Sequence, residues 1–232
     1  MIKPASTTAV IIFSLNAEEE ARRKPLFRNK KDSRKLYQSL LDQTATTIQD
    51  LAADIIWING RDQKGEDFAS RFCHAFTQTY AMGYDQVIAV GSDSPGLTKD
   101  HLKTAIAQLK KNAVVTGPSR DGGVYLLGMQ RSYFKASAFL ALPWQQDHLY
   151  TSILADARSK NLDVFSLNSL QDIDDLEDVS AFAKEEPNSF ISQLFWQIIA
   201  RKRQVSIQFE NNSSAESFVS FHSLRAPPTS FA

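Results

Sequence analysis

The chain has 232 residues, and its 26 Lys and Arg balance 26 Asp and Glu, which argues against a general nucleic-acid binder, normally strongly basic. A hydrophobic share of 43% with 22% charged residues is enough for a sizeable core. No apolar run approaches the roughly 18 residues of a membrane span, the opening MIKPASTTAVIIF is a poor signal peptide, and the sole cysteine, Cys73, excludes an internal disulfide or a cysteine-cluster metal site.

Short apolar runs alternate with amphipathic stretches along the chain. Strands are expected at Ala9–Phe13, Ile55–Ile58, Gln86–Val90, Ala113–Thr116, Val124–Met129 and Leu162–Leu167. Helical patterns fall at about 33–53, 67–82, 98–111, 132–141, 146–160 and 175–185. This spacing indicates βαβ units: an α/β fold of three layers, α/β/α, around a mainly parallel sheet. Residues 188–203 read as a further amphipathic helix, capped by Asn188 or Ser189. One domain is thus expected over 1–203. The polar tail, 204–232, carries Phe209, Phe218, Phe221 and Phe231 and is expected to dock on its own domain or on a second subunit, so a homodimer is one expectation.

Charge is segregated. Residues 22–35 hold Arg22, Arg23, Lys24, Arg28, Lys30, Lys31, Arg34 and Lys35 against Asp32, whereas 172–186 hold seven carboxylates against Lys184. If the fold joins the two regions, one can hold phosphate and the other a metal; otherwise they are two solvated faces.

Ligands of open α/β sheets sit beyond the carboxyl ends of the strands, so the loops there carry the chemistry. Gly91-Ser92-Asp93-Ser94-Pro95-Gly96-Leu97 follows the third strand. An acidic residue at a strand tip among small residues suits Mg²⁺, which takes one or two carboxylates plus substrate phosphates. The alternative, that Asp93 caps the next helix, is weakened because Thr98 already can. Gly117-Pro118-Ser119-Arg120-Asp121-Gly122-Gly123 lets backbone approach a ligand, with Arg120 and Asp121 as contacts, although Asp-Gly also marks a plain hairpin turn. In Asp172-Ile173-Asp174-Asp175, alternation puts Asp172 and Asp174 on one side, while Asp175 caps the next helix.

Taken in order, GSDSPGL, GPSRDGGVYLLGM, Pro143-Trp144 and DIDDLEDV resemble the motifs of a bacterial glycosyltransferase-A-like family of uncharacterised transferases, associated with radical-SAM or selenodomain proteins. That family is similar in fold to molybdenum-cofactor and 2-phospholactate guanylyltransferases and to the sugar-1-phosphate nucleotidylyltransferases. The resemblance spans roughly residues 8–185 and implies a nucleotide-diphospho-sugar transferase fold. It makes Asp93 a ligand of Mg²⁺ or Mn²⁺ and Asp174 a second one, with Asp172 beside them; Asp93 and Asp174 are then the catalytic pair. Arg71 and the loop Asp121-Gly122-Gly123 match substrate-side positions, and Ser92, Ser94, Arg120 and Trp144 are further candidates for substrate contact.

One stretch departs from the pattern. Where the family carries a Gly-containing loop ending Lys-Thr-Arg-Leu, this chain reads Phe13 to Leu26 without glycine, with Arg23 in the lysine's place, Pro25 in the arginine's, and Arg22 and Lys24 flanking Arg23, so that positive charge is kept. EEEARRK also reads as a helical turn with Glu–Arg pairs.

The expectation is a cytoplasmic, metal-dependent transferase acting on a nucleotide or nucleotide-sugar and a small-molecule acceptor, by glycosyl or nucleotidyl transfer. The alternative is a catalytically weakened relative serving as a binding or assembly module. His74, His101, His148 and His222 form no metal-protease motif and no GxSxG is present, which argues against a hydrolase. Cys73 reads as core and His74 as helix surface.

Overall fold

Strand β1, Thr8–Phe13, is buried along nearly its whole length, as its unbroken apolar run requires of a strand covered on both faces. In this computed structural model, which describes residues 6–202, β1 lies between β2 (Asp54–Ile58) and β3 (Gln86–Val90), parallel to both. Next to β3 comes β5 (Val124–Gln130), then β4 (Val114–Pro118) and β6 (Val164–Ser166), giving the order β2-β1-β3-β5-β4-β6. β5 alone runs against the rest, antiparallel to both β3 and β4. The five residues between β4 and β5 are too few for a crossover, so the chain folds back as a hairpin.

Alternation along the central strands fills two layers. Ala9, Ile11, Val87 and Ala89 pack on one face with Phe72 and Phe76 of α3 (Phe68–Ala81), Phe139 of α5 (Ala136–Leu140) and Ile153 of α6 (Leu149–Ser159). Val10, Ile12, Ile88 and Val90 face Leu102, Ala105, Ile106 and Leu109 of α4 (Lys99–Leu109). A third cluster joins α1 (Ala17–Arg23), α2 (Lys30–Thr47), α7 (Leu176–Glu185) and a last helical segment over 190–202. It includes Tyr37 and Ile173, both of which also line the cleft described below.

The helix starts follow local chemistry. Thr98, Asp67 and Asp175 cap α4, α3 and α7 through reciprocal capping boxes, and the Ser189 hydroxyl accepts the amide of Ser192 at the last segment. α2 ends earlier than its pattern suggests: Asp50 is left-handed (φ 56°), which no continuing helix allows. Cys73 is buried and free, as expected of a core thiol. His74 differs from expectation: it is half-buried, and its Nε2 is buried with no hydrogen-bond partner. The expected docking of residues 204–232, with its four phenylalanines and the homodimer, lies outside the described residues. Among those described, no helix is long and apolar enough to cross a membrane.

Candidate active site

A cleft of about 630 Å³ opens at the carboxyl ends of β1 and β3, where β5 begins, a volume that suits a nucleotide-sized ligand. Its ionic part comes from the loops after β1, β3 and β6. A second part is a run of aromatic rings, Phe13, Phe68, Phe72 and Trp144, with neighbouring ring centroids 5.0–5.9 Å apart.

Asp93 stands at the tip of β3 and lines the cleft with Ser92. Its carboxylate folds back over Gly91, so closely that a Cβ there would lie 2.6 Å from Oδ1. Its carbonyl accepts the amide of Ile173 (2.8 Å), which fastens the loop after β3 to the loop after β6. Ile173 is fully buried, and its neighbours Asp172 and Asp174 line the same cleft. Burial raises the Asp93 pKa above the carboxylate norm and nearby Asp174 adds to it, against the pull of Lys24 and Arg23.

Asp172 is held differently. The hydroxyl of Ser94 donates to one carboxylate oxygen and that of Ser119 to the other. Burial first, and then Asp93, push its pKa up to about 7, despite those two hydrogen bonds. Asp174 is exposed and ion-paired with Lys24. Among the described residues no group of three or more His, Cys, Asp or Glu is arranged to hold a metal. Of the three expected carboxylates, Asp172 accepts a hydroxyl on each oxygen, Asp174 is engaged by Lys24, and Asp93 lies buried at the strand tip. Ser94 likewise serves Asp172 rather than lining the cleft.

The stretch after β1 is the helix α1, capped by Asn16 and Glu19. Residues 20, 23 and 24 share one face of it, and all three line the cleft. Arg22 points elsewhere, toward Glu18 four residues back, and is outside the cleft. Arg23 is inside, tied to Glu20 at 3.2 Å. The basic and acidic regions do meet, through Lys24 and Asp174.

The hairpin loop contributes Asp121 and Gly123. Gly122 has φ +90°, and a Cβ on it would fall 1.7 Å from the carbonyl oxygen of Asp147, so only glycine fits this crossing. Arg120 turns away from the cleft, and its guanidinium grips both oxygens of Glu185 on α7 at 2.8 and 2.9 Å. Arg71 lines the cleft on the helical face of Phe68 and Phe72. Trp144 is buried in the aromatic run and donates its indole N–H to the Phe139 carbonyl (2.7 Å), which leaves it an apolar wall. Sequence reasoning missed Glu20 and Tyr37 and placed Lys24 only within the basic stretch; helical spacing from Ala17 and Ala21, the buried face of α1, would have pointed to Glu20 and Lys24 together.

Residues 33–146 match the model of a family described as uncharacterized protein conserved in bacteria (DUF2064). A crystal structure from Desulfovibrio desulfuricans G20, a candidate nucleotide-diphospho-sugar transferase, superposes with TM-score 0.74 at 21% identity, over 86% of this chain and 98% of that one. The fold is that of the nucleotide-diphospho-sugar transferases. Lower similarity extends to a 4-diphosphocytidyl-2C-methyl-D-erythritol synthase from Anaerococcus prevotii DSM 20548 (TM-score 0.47, 14% identity, 78% and 100% covered). A cytidylyltransferase from Leptospira borgpetersenii serovar Hardjo-bovis is comparable (TM-score 0.46, 11% identity, 86% and 96% covered). No curated protein matches the chain.

Proposed function

We propose that the cleft is the nucleotide site of a metal-dependent transferase, carrying out glycosyl or nucleotidyl transfer from a nucleotide-activated substrate. The observation that carries this reading is the convergence of Asp93 and Asp174 with Arg23 and Lys24 in one cleft. These residues come from three separate segments, the end of helix α1 and the loops after β3 and β6, and a surface of merely solvated charges would have no reason to gather them there. Two carboxylates with neighbouring cations are a donor set that fits Mg²⁺ or Mn²⁺, and Asp93 and Asp174 would hold such an ion beside a bound nucleotide. Such an ion, once bound, neutralises charge developing on the phosphates.

The chain's own residues divide the remaining work. Arg23 and Lys24 supply positive charge for the phosphates, and Asp172, hydrogen-bonded by Ser94 and Ser119, ties the loop after β6 to the loop after β3 and to the hairpin loop. The aromatic run with Arg71 offers a flat apolar wall for the non-phosphate part of a substrate. Asp121 and Gly123 of the hairpin loop complete the lining.

The test is a thermal-shift screen of nucleoside di- and triphosphates and nucleotide-sugars, each with and without Mg²⁺ or Mn²⁺. A ligand at 100 times its Kd adds about 2.7 kcal/mol of apparent stability, so a binder is readily seen. A shift that needs both nucleotide and metal is expected; no shift with any of them would remove the reading.

A further inference from the structure

Both cations of the ionic half are already paired, but in different ways. Arg23 is bound within its own helix, to Glu20 at 3.2 Å. Lys24 instead reaches Asp174, 150 positions away along the chain. Its charge also acts on Asp93, opposing the upward push of burial on that carboxyl. Lys24 therefore serves the same two carboxylates that, on the reading above, hold the divalent metal.

The setting lets the side chain move while the backbone stays fixed. The Lys24 amide donates to the Glu20 carbonyl (2.8 Å), and its own carbonyl accepts the Tyr37 hydroxyl (2.9 Å). Tyr37 belongs to the helical cluster beneath the cleft, so the peptide is anchored on both sides. Beyond that anchor lies a four-carbon stem ending in a point charge, with the side chain 31% exposed. Three cations of the cleft, Arg23, Lys24 and Arg71, face six carboxyl groups, those of Glu20, Asp93, Asp121, Asp147, Asp172 and Asp174. A doubly charged ion is thus drawn to the site, yet it meets an ammonium on one of its ligands.

We propose that Lys24 is an exchangeable cation: it neutralises Asp174 until a divalent metal takes that carboxylate, and it then swings to the phosphates of the bound nucleotide. Metal and Lys24 compete for Asp174, while metal-loaded protein gains a free cation for the nucleotide. Arg23 differs in that its partner, Glu20, lies three residues back on the same helix and is not one of the proposed metal ligands.

The inference rests on the metal and nucleotide reading above, and the test separates the two. Mn²⁺ binding to the full chain is measured by the paramagnetic resonance of the free ion, and binding of a nucleoside diphosphate at saturating Mn²⁺ by calorimetry. Wild type, Lys24→Gln and Lys24→Arg are compared. Lys24→Gln is expected to bind Mn²⁺ alone about 2- to 5-fold more tightly, the gain from removing a half-exposed competing ion pair. The same variant is expected to bind the nucleoside diphosphate about tenfold more weakly, and Lys24→Arg to lie between it and wild type in both respects. Unchanged or weaker Mn²⁺ binding by Lys24→Gln, with wild type binding the ion, overturns the exchange and leaves the metal reading standing. A purely structural lysine would weaken both ligands together. No Mn²⁺ binding by wild type overturns both.

Discussion

The amide of Ile173 donates to the carbonyl of Asp93 at 2.8 Å. This one backbone contact joins two acidic loops that lie 80 residues apart in the chain, and it explains why Asp93, Asp172 and Asp174 face one cleft. Ile173 itself is fully buried in the cluster of α1, α2 and α7, so the juncture is set by hydrophobic packing and does not depend on the charges it brings together. Carboxylates held close by apolar burial are primed for a cation, because their mutual repulsion is relieved when one binds.

Gly91 tests how finely Asp93 is placed. Its Cβ, if present, would lie 2.6 Å from Asp93 Oδ1, the free end of a side chain that can swing aside at little cost. Gly91→Ala is expected to leave the melting temperature nearly unchanged and to weaken metal-dependent nucleotide binding by about tenfold or more, as changes that misorient metal ligands do. Calorimetry on the folded variant checks this; wild-type affinity would mean the carboxylate's direction is unimportant.

Gly122 tests the hairpin wall and should behave in the opposite way. Its φ of +90° and the Asp147 carbonyl oxygen, which a Cβ would approach to 1.7 Å, leave no room for any side chain. Gly122→Ala is expected to destabilise the protein by about 3 kcal/mol or more, combining backbone strain with a clash against main chain. Denaturant unfolding reads the loss directly.

Asp172 gives the metal-free protein a pH dependence. Its pKa is raised from 3.8 to about 7 by burial and by Asp93. A carboxyl raised in the folded state holds its proton more tightly there than in the unfolded chain. The stability it contributes is therefore complete at acid pH below its unfolded pKa and is lost as pH rises through about 7. In the presence of a chelator, melting temperature is expected to fall across this window, and Asp172→Asn, which keeps the shape but not the titration, to flatten the fall. A variant with the wild-type slope would assign the dependence to another group.

Arg120 and Arg23 separate scaffold from site. Arg120 is exposed and bound to Glu185, so Arg120→Ala is expected to lower the melting temperature slightly and to leave nucleotide binding unchanged. Arg23→Gln is expected to do the reverse, because Arg23 lines the cleft. Equal effects on binding would place Arg120 in the site after all.

The sheet was legible in the sequence because buried strands leave unbroken apolar runs, and each of its strands begins or ends within a residue of expectation. The acidic loops were legible because they follow strand ends. What escaped depended on contacts distant in sequence. The pairing of Lys24 with Asp174 and the Ser94 and Ser119 hydroxyls on Asp172 have no local signature, and neither does the grip of Arg120 on Glu185. The exclusion of Arg22 was readable in principle, since it shares a helical face with Glu18 rather than with Glu20 and Lys24. Expectation went the other way because position in a loop motif was given more weight than helical phase.

The most direct measurement is calorimetric binding of a nucleotide, identified in the screen, to wild type and Asp93→Asn, with and without Mn²⁺. Asp93 is raised in pKa by burial, so the neutral asparagine is expected to fold as well as wild type. Wild type should bind nucleotide tightly only with Mn²⁺, and Asp93→Asn should lose the metal-dependent part. Equal, metal-dependent binding by both proteins would contradict a metal site at Asp93.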